Sequence, residues 1–387
     1  MVSLLLAIIY LSFISLGLPD SLLGSAWPVM YQELNVPISY SGMIFMIIAI
    51  GTVISSLMSD RLTKKLGAGK ITSISVMMTA LALIGFSFSH SMLALCLFAI
   101  PYGLGAGSVD AALNNYVALH FASRHMSWLH CMWGVGASVG PYIMSEAITR
   151  TSSWNNGYRI IGLMQVVLSI VIMISLPIWK KKEMADGESE EESLEPIPLK
   201  KVIQIKGAKE IMLAFFCYCA IEQTVSLWAS SYLVVERGIP EVVATGYASL
   251  FFIGITIGRA VNGFLTIKFT DSQLIHMGEA IIAGGLILVI LPINSIAALI
   301  GFVAIGLGCA PIYPCIIHST PVHFGKENSQ AMVGVQMASA YTGTLIAPPI
   351  FGLLVKYVSM GLLPIYLFVV LIVMFVMYKR VQSICKK

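Results

Sequence analysis

The chain has 387 residues, of which 57% are hydrophobic and only 11% charged. A soluble protein carries roughly 25% charged residues, so this composition excludes a water-soluble protein and makes lipid the natural solvent. The formal charge of +4 is small and confined to a few segments, which argues against a nucleic-acid partner.

A membrane span needs about 20 mainly apolar residues. The first such run covers 4–30; it has no basic leader and continues past Val29, so it reads as a span and not as a cleavable signal. The next five are 38–60, 70–90, 92–119, 127–149 and 158–179. A polar stretch from Lys180 to Lys209 follows, with Glu183, Asp186 and the acidic run Glu188–Glu192 bracketed by lysines. It reads as a solvated linker. Six more spans follow at 209–235, 242–267, 272–293, 296–319, 328–354 and 360–379. The chain therefore divides into a six-helix bundle over 1–180, a charged linker over 181–208 and a second six-helix bundle over 209–387.

Lysine and arginine gather on the linker side of the spans. The opposite side has only Arg150, Arg159, Arg237 and Lys356, and Arg259 falls inside a span. The positive-inside rule then places both termini and the linker in the cytoplasm of a cell bounded by a plasma (inner) membrane. The two halves also repeat. Gly103-Leu-Gly105 and His120-Phe121 recur, at one constant spacing, as Gly306-Leu-Gly308 and His323-Phe324. Met132-x-Gly134-Val135 recurs as Met332-x-Gly334-Val335, and Asp20 is matched by Glu222. Parallel repeats of this kind point to a solute site near the membrane midplane.

Ionised side chains in hydrocarbon cost a few kcal/mol or more, so an acid inside a span is a functional candidate. Asp20, Asp110 and Glu222 each read as mid-span; the bland alternative is a protonated or hydrogen-bonded acid that serves packing alone. Glu146 falls near a span end. Helical periodicity places Asp20, Gly24, Trp27 and Tyr31 on one stripe, and Gly103, Gly107, Asp110 and Asn114 on another with Asn115 beside it. The glycines allow close helix packing, while Asp110 and Asn114 are expected to face a cavity. His130 and Trp133 share a face of the fifth span. In the second half Glu222, Gln223, Asn262, Tyr313 and Gln336 are polar or aromatic groups in apolar surroundings, as are Ser226 and Trp228. Carboxylates and amides bind hydroxyls and an aromatic face packs on a sugar ring, so this mixture suits a sugar; a lone Trp or Tyr also serves core packing. The seven cysteines have neither zinc nor redox spacing and read as core residues. No metal site or cofactor is expected.

Ser56-Leu-Met-Ser-Asp60-Arg61-Leu-Thr-Lys64-Lys65 follows the second span and resembles the major facilitator loop signature G-x-x-x-D-R-x-G-R-R, with Ser56 and Thr63 in place of its glycines. Gly17-Leu-Pro-Asp20, Asp110-Ala-Ala-Leu-Asn114-Asn115 and Leu129-His130-Cys-Met-Trp133-Gly134-Val-Gly136-Ala-Ser-Val-Gly140-Pro141 resemble, more narrowly, the fucose/galactose/glucose:proton symporters. The resemblance implies the major facilitator fold, an all-α membrane protein of twelve transmembrane helices in two pseudo-symmetric bundles. It also implies uptake of a sugar or similar small polar solute by alternating access, with Asp20 and Asp110 carrying the coupling ion. That ion is expected to be a proton, sodium being the alternative. Asp60, Arg61, Lys64 and Lys65 would form a conformational latch. Glu222, a third acid in the second half, is a departure to which the resemblance assigns no role. Gly136-x-x-x-Gly140-Pro141 also resembles the antiporter signature of the fifth helix, which keeps proton-driven drug export open. A receptor or scaffold does not account for three intramembrane acids, and nothing in the sequence supports an enzyme. The expected state is a monomer in the bilayer whose partner is the solute.

Overall fold

The structure, a computed structural model, describes residues 2–185, 195–291 and 294–385. A backbone in hydrocarbon must satisfy its own N–H and C=O groups, which makes an apolar span helical. The described residues contain helices and two 3-10 turns, and no strand.

The chain folds into two compact units, Met1–His120 with Leu129–Ile197, and Phe121–Trp128 with Pro198–Lys387. The first contains α1 (Val2–Gly17), α2 (Leu22–Glu33), α3 (Ser41–Leu66), α4 (Ala68–Ser87), α5 (Met92–His120), most of α6 (Ser123–Thr151) and α7 (Trp154–Ala185). The second contains α8 (Leu199–Gln204), α9 (Ala208–Arg237), α10 (Glu241–Leu265), α11 (Asp271–Ile290), α12 (Ser295–His318), α13 (Thr320–Phe324), α14 (Lys326–Tyr357) and α15 (Leu363–Ile384). Among the described residues 10 helical segments are long and apolar enough to cross a membrane, α1 and α2 counting as one. A shorter apolar stretch, Leu250–Leu265, belongs to α10. The 29-residue α6, which contains the span expected over 127–149, is less apolar than these segments and is not among the 10.

Three expectations need correction. The first span is not one helix, because Pro19 has no N–H to continue the ladder and residues 18–21 form a turn between α1 and α2. The latch signature is not a loop: Ser56–Lys65 lies within α3, and Gly67, at φ +81°, makes the turn into α4. Nor is the linker solvated throughout. Helix α7 runs on to Ala185 and α8 forms inside it, with Val202 buried; the acidic run Glu188–Glu192 lies outside the described residues.

The sequence repeat reappears in the packing. A Cβ on Gly103 would overlap the carbonyl oxygen of Ile48, and one on Gly306 that of Phe251. Gly105 faces the carbonyl of Ser75 as Gly308 faces that of Gly278. Each pair of partners has the same separation as the glycines themselves, so the two units build equivalent backbone contacts. The outward faces remain apolar: Leu163, Val167, Ile170 and Ile174 form an exposed stripe on α7 at helical spacing, suited to lipid.

Candidate functional site

The turn between α1 and α2 presents Asp20. The Trp133 indole donates a hydrogen bond to its Oδ2 at 2.8 Å, and the Tyr102 hydroxyl donates to Oδ1 at 3.4 Å. The Asp20 side chain is itself exposed, so the carboxylate retains an open side. Its position is fixed by backbone contact: an added Cβ on Gly136 would overlap the carbonyl of Ile14, and one on Gly140 that of Leu18. Ser21 Oγ also donates to Ala137 O at 2.8 Å. The Gly136-x-x-x-Gly140 pair is thus a packing surface that holds the broken span against α6.

The stripe expected on the first span does not survive the break. Trp27 is buried in the core with Tyr102, Phe86, Trp154 and Tyr158, and its indole donates to Ile38 O at 2.6 Å. It does not join Asp20.

Asp110 does not face an open cavity either. Asn114 Nδ2 donates to Asp110 Oδ1 at 2.7 Å, and His130 Nε2 lies 3.0 Å from Asn114 Oδ1. The chain Asp110–Asn114–His130 links α5 to α6, and each member is at most 5% exposed. Asn115 is equally buried. Tyr102 and Asp110, eight residues apart on α5, are separated by about 12 Å along its axis. The two acids therefore anchor separate clusters, not a shared carboxylate pair.

In the second unit Glu222 of α9 pairs with Arg259 of α10 at 3.5 Å. Arg259 is 3% exposed and Glu222 19%, so the acid forms the accessible end of the pair. Phe215, Tyr218 and Tyr313 make an aromatic group beside it, with Tyr313 edge-on to Phe215 at 4.7 Å and to Tyr218 at 5.9 Å. The Tyr313 hydroxyl points at Met337 Sδ, 3.2 Å away. Gln223 is partly exposed on the same helix. Two expected ligands are placed elsewhere. Asn262 is buried and donates to Ser127 Oγ at 2.7 Å. Gln336, also buried, accepts from Thr320 Oγ1 at 2.9 Å. Both join helices internally.

Asp60, 6% exposed, pairs with Lys64 at 3.0 Å and accepts the Ile197 N–H at 2.9 Å. Lys64 reaches Glu195 O at 3.3 Å. Arg61 and Lys65 are exposed. In the first unit, then, the signature holds the end of the linker.

Sequence reasoning overlooked several groups. Arg259 stood out as the one basic residue inside a span, yet its acid partner was not found. Glu279, near the middle of α11, is a fourth intramembrane acid that the same cost rule selects. Tyr102 gave no signal, since a tyrosine in an apolar helix is ordinary. Asp271 and His318 meet at 2.6 Å across α11 and α12, and Ser123 and the carbonyl of Phe121 bond to them.

Residues 9–321 match the sequence profile of the family described as the Major Facilitator Superfamily. The chain belongs to that superfamily. This facilitator is accordingly a multi-pass membrane transporter and not an enzyme. It is 22% identical to the glucose/mannose transporter GlcP of Bacillus subtilis, over 87% of this chain and 85% of that protein. It is 23% identical to Bypass of stop codon protein 6 of Saccharomyces cerevisiae over 67% of this chain, and spans 56% of that relative's length. Among solved structures, the fucose:proton symporter FucP of E. coli superposes with a TM-score of 0.73 at 16% identity, covering 97% of this chain and 98% of that one. The superposition shows the shared fold.

Proposed function

We propose that this facilitator takes up a neutral sugar or a similar small polyol, driven by a proton gradient across the plasma membrane, with its termini in the cytoplasm. The observation that carries the reading is Asp20: an accessible carboxylate at the break of a span, between an indole N–H and a phenol. Discontinuous helices mark solute sites in secondary transporters because the break frees polar groups at membrane depth. An open carboxylate oxygen accepts a sugar hydroxyl, and the Trp133 ring offers a face to pack on its carbons. In the second unit Glu222 supplies another partly exposed carboxylate, tied to Arg259 and close to Tyr218. The narrower resemblance of the Asp20, Asp110 and His130 segments, together with the names of GlcP and FucP, supports the same solute class.

Asp20 binds and releases the coupling proton in this reading, and the Asp110–Asn114–His130 chain is the internal group that responds to it. Drug export gains no support, since Gly136 and Gly140 are accounted for by packing against α1. The test is uptake into proteoliposomes with a panel of hexoses, under proton and sodium gradients imposed separately. A proton gradient should drive accumulation of at least one neutral hexose, and Asp20→Asn should abolish accumulation while leaving counterflow. Accumulation driven by sodium alone would move the coupling ion, and failure of every sugar would overturn the solute class.

A further inference from the structure

A further titratable pair in the second unit, His276 and Glu279 of α11, has no part in the proposed solute site. His276 Nδ1 is 2.6 Å from Glu279 Oε2, and His276 Nε2 is 3.0 Å from Gln382 Oε1. Glu279 is 4% exposed and His276 29%, so the acid is sealed behind the imidazole. Edge contacts from Phe375 and Tyr378 of α15 hold the ring at 5.7 and 5.5 Å. Glu279 Oε1 is buried without a hydrogen-bond partner among the described residues.

The protons can be counted from these contacts. With the Gln382 amide turned so that Oε1, which only accepts, faces the ring, His276 Nε2 carries a proton and donates it. Nδ1 and Oε2 at 2.6 Å would otherwise be two facing lone pairs, so one further proton lies between them. It resides on nitrogen as an imidazolium–carboxylate pair, or on oxygen as a carboxylic acid bonded to neutral imidazole. Loss of that proton leaves a buried carboxylate with one oxygen unpartnered and the other against a lone pair, an arrangement that burial penalises heavily. Unloading therefore requires either separation of the two side chains or a flip of the Gln382 amide, which would let a neutral imidazole keep its one proton on Nδ1 against Glu279. The other titratable groups nearby are Lys379 and Tyr378 on α15, Asp271 at the start of α11, Cys315 and His318 on α12, and His323 beside Tyr378. Asp271 and His318 satisfy each other, and the Tyr378 hydroxyl meets Ser272 at 3.1 Å. Among these, Lys379 supplies the charge acting on Glu279.

We infer that His276 and Glu279 form a proton-binding site of the second unit, whose occupancy ties α11 to α15 through Gln382. The site is independent of the sugar reading and of Asp20. Its test is NMR titration of the full-length protein, carbon-13 labelled at its 7 histidines, with the His276 signal identified by its loss in His276→Gln. The His276 midpoint should fall by at least one pH unit, a tenfold weaker proton affinity, in Glu279→Gln. The Glu279→Asp variant, one methylene too short to keep the contact, should shift in the same direction and serves if the glutamine variant does not fold. An unchanged midpoint in either folded variant overturns the proposal.

Discussion

The Glu222–Arg259 pair shows how unequal two partners of one ion pair can be. Arg259 is sealed and Glu222 is partly open, and removing one partner of a buried pair leaves the other charge uncompensated. Glu222→Ala removes the carboxylate facing a sealed guanidinium and is expected to cost about 3 kcal/mol. Arg259→Met strands an acid that can still hydrate, and should cost less. Thermal unfolding in detergent decides this, and the reverse order would mean that Arg259 has another counter-charge. The Asp110–Asn114–His130 chain makes a second residue-level case. Asn114 bonds on both sides, so Asn114→Ala leaves two buried polar groups short of a partner. The expected loss is about 1–3 kcal/mol, read from the same unfolding curves; a change under half a kcal/mol would show that the chain is not structural.

At the level of elements, the broken first span is held by glycines and not by polar bonds alone. Helix α6 approaches α1 so closely that Gly136 and Gly140 meet backbone carbonyls. Gly136→Leu should therefore abolish the folded, monodisperse protein in size-exclusion chromatography. Gly24, on α2, has open space where a Cβ would go; Gly24→Ala is expected to stay within about 0.5 kcal/mol of the parent. Equal behaviour of the two variants would contradict the tight α1–α6 contact. Helices α3 and α5, and α10 and α12, meet through the same kind of contact at Gly103 and Gly306, which explains why small residues mark the repeat so clearly.

At the scale of the whole molecule, the segment that connects the two units in sequence is anchored at its end. Asp60 ties α3 to the end of the linker through the Ile197 N–H and Lys64, at a point remote in sequence from every proposed solute ligand. Asp60→Ala should lower the maximal transport rate several-fold with the half-saturating solute concentration unchanged, measured as initial rates in proteoliposomes. A shift in half-saturation at constant rate would place Asp60 in solute binding instead, and no shift in either would reduce it to a tether for the linker.

Hydropathy by itself determined the all-helical membrane class, because lipid leaves the backbone no other way to satisfy its hydrogen bonds. Spacing alone also revealed the repeat, since the glycines that recur are those at which two backbones touch. Periodicity failed at Pro19, where a regular helix was assumed and Trp27 was wrongly grouped with Asp20. The sequence selected Asp20, Asp110 and Glu222 by the cost of charge in hydrocarbon, and that rule holds for any partner. Which of them stays open, and which is closed off by Asn114 and His130 or tied to Arg259, depends on side chains brought together from distant spans. Helical spacing does place Asn114 with Asp110, but which residues meet across helices, such as Arg259 with Glu222 or Gln382 with His276, is not local information: a polar residue facing a neighbouring helix and one facing a solute have the same spacing, and only the packing of the helices tells them apart.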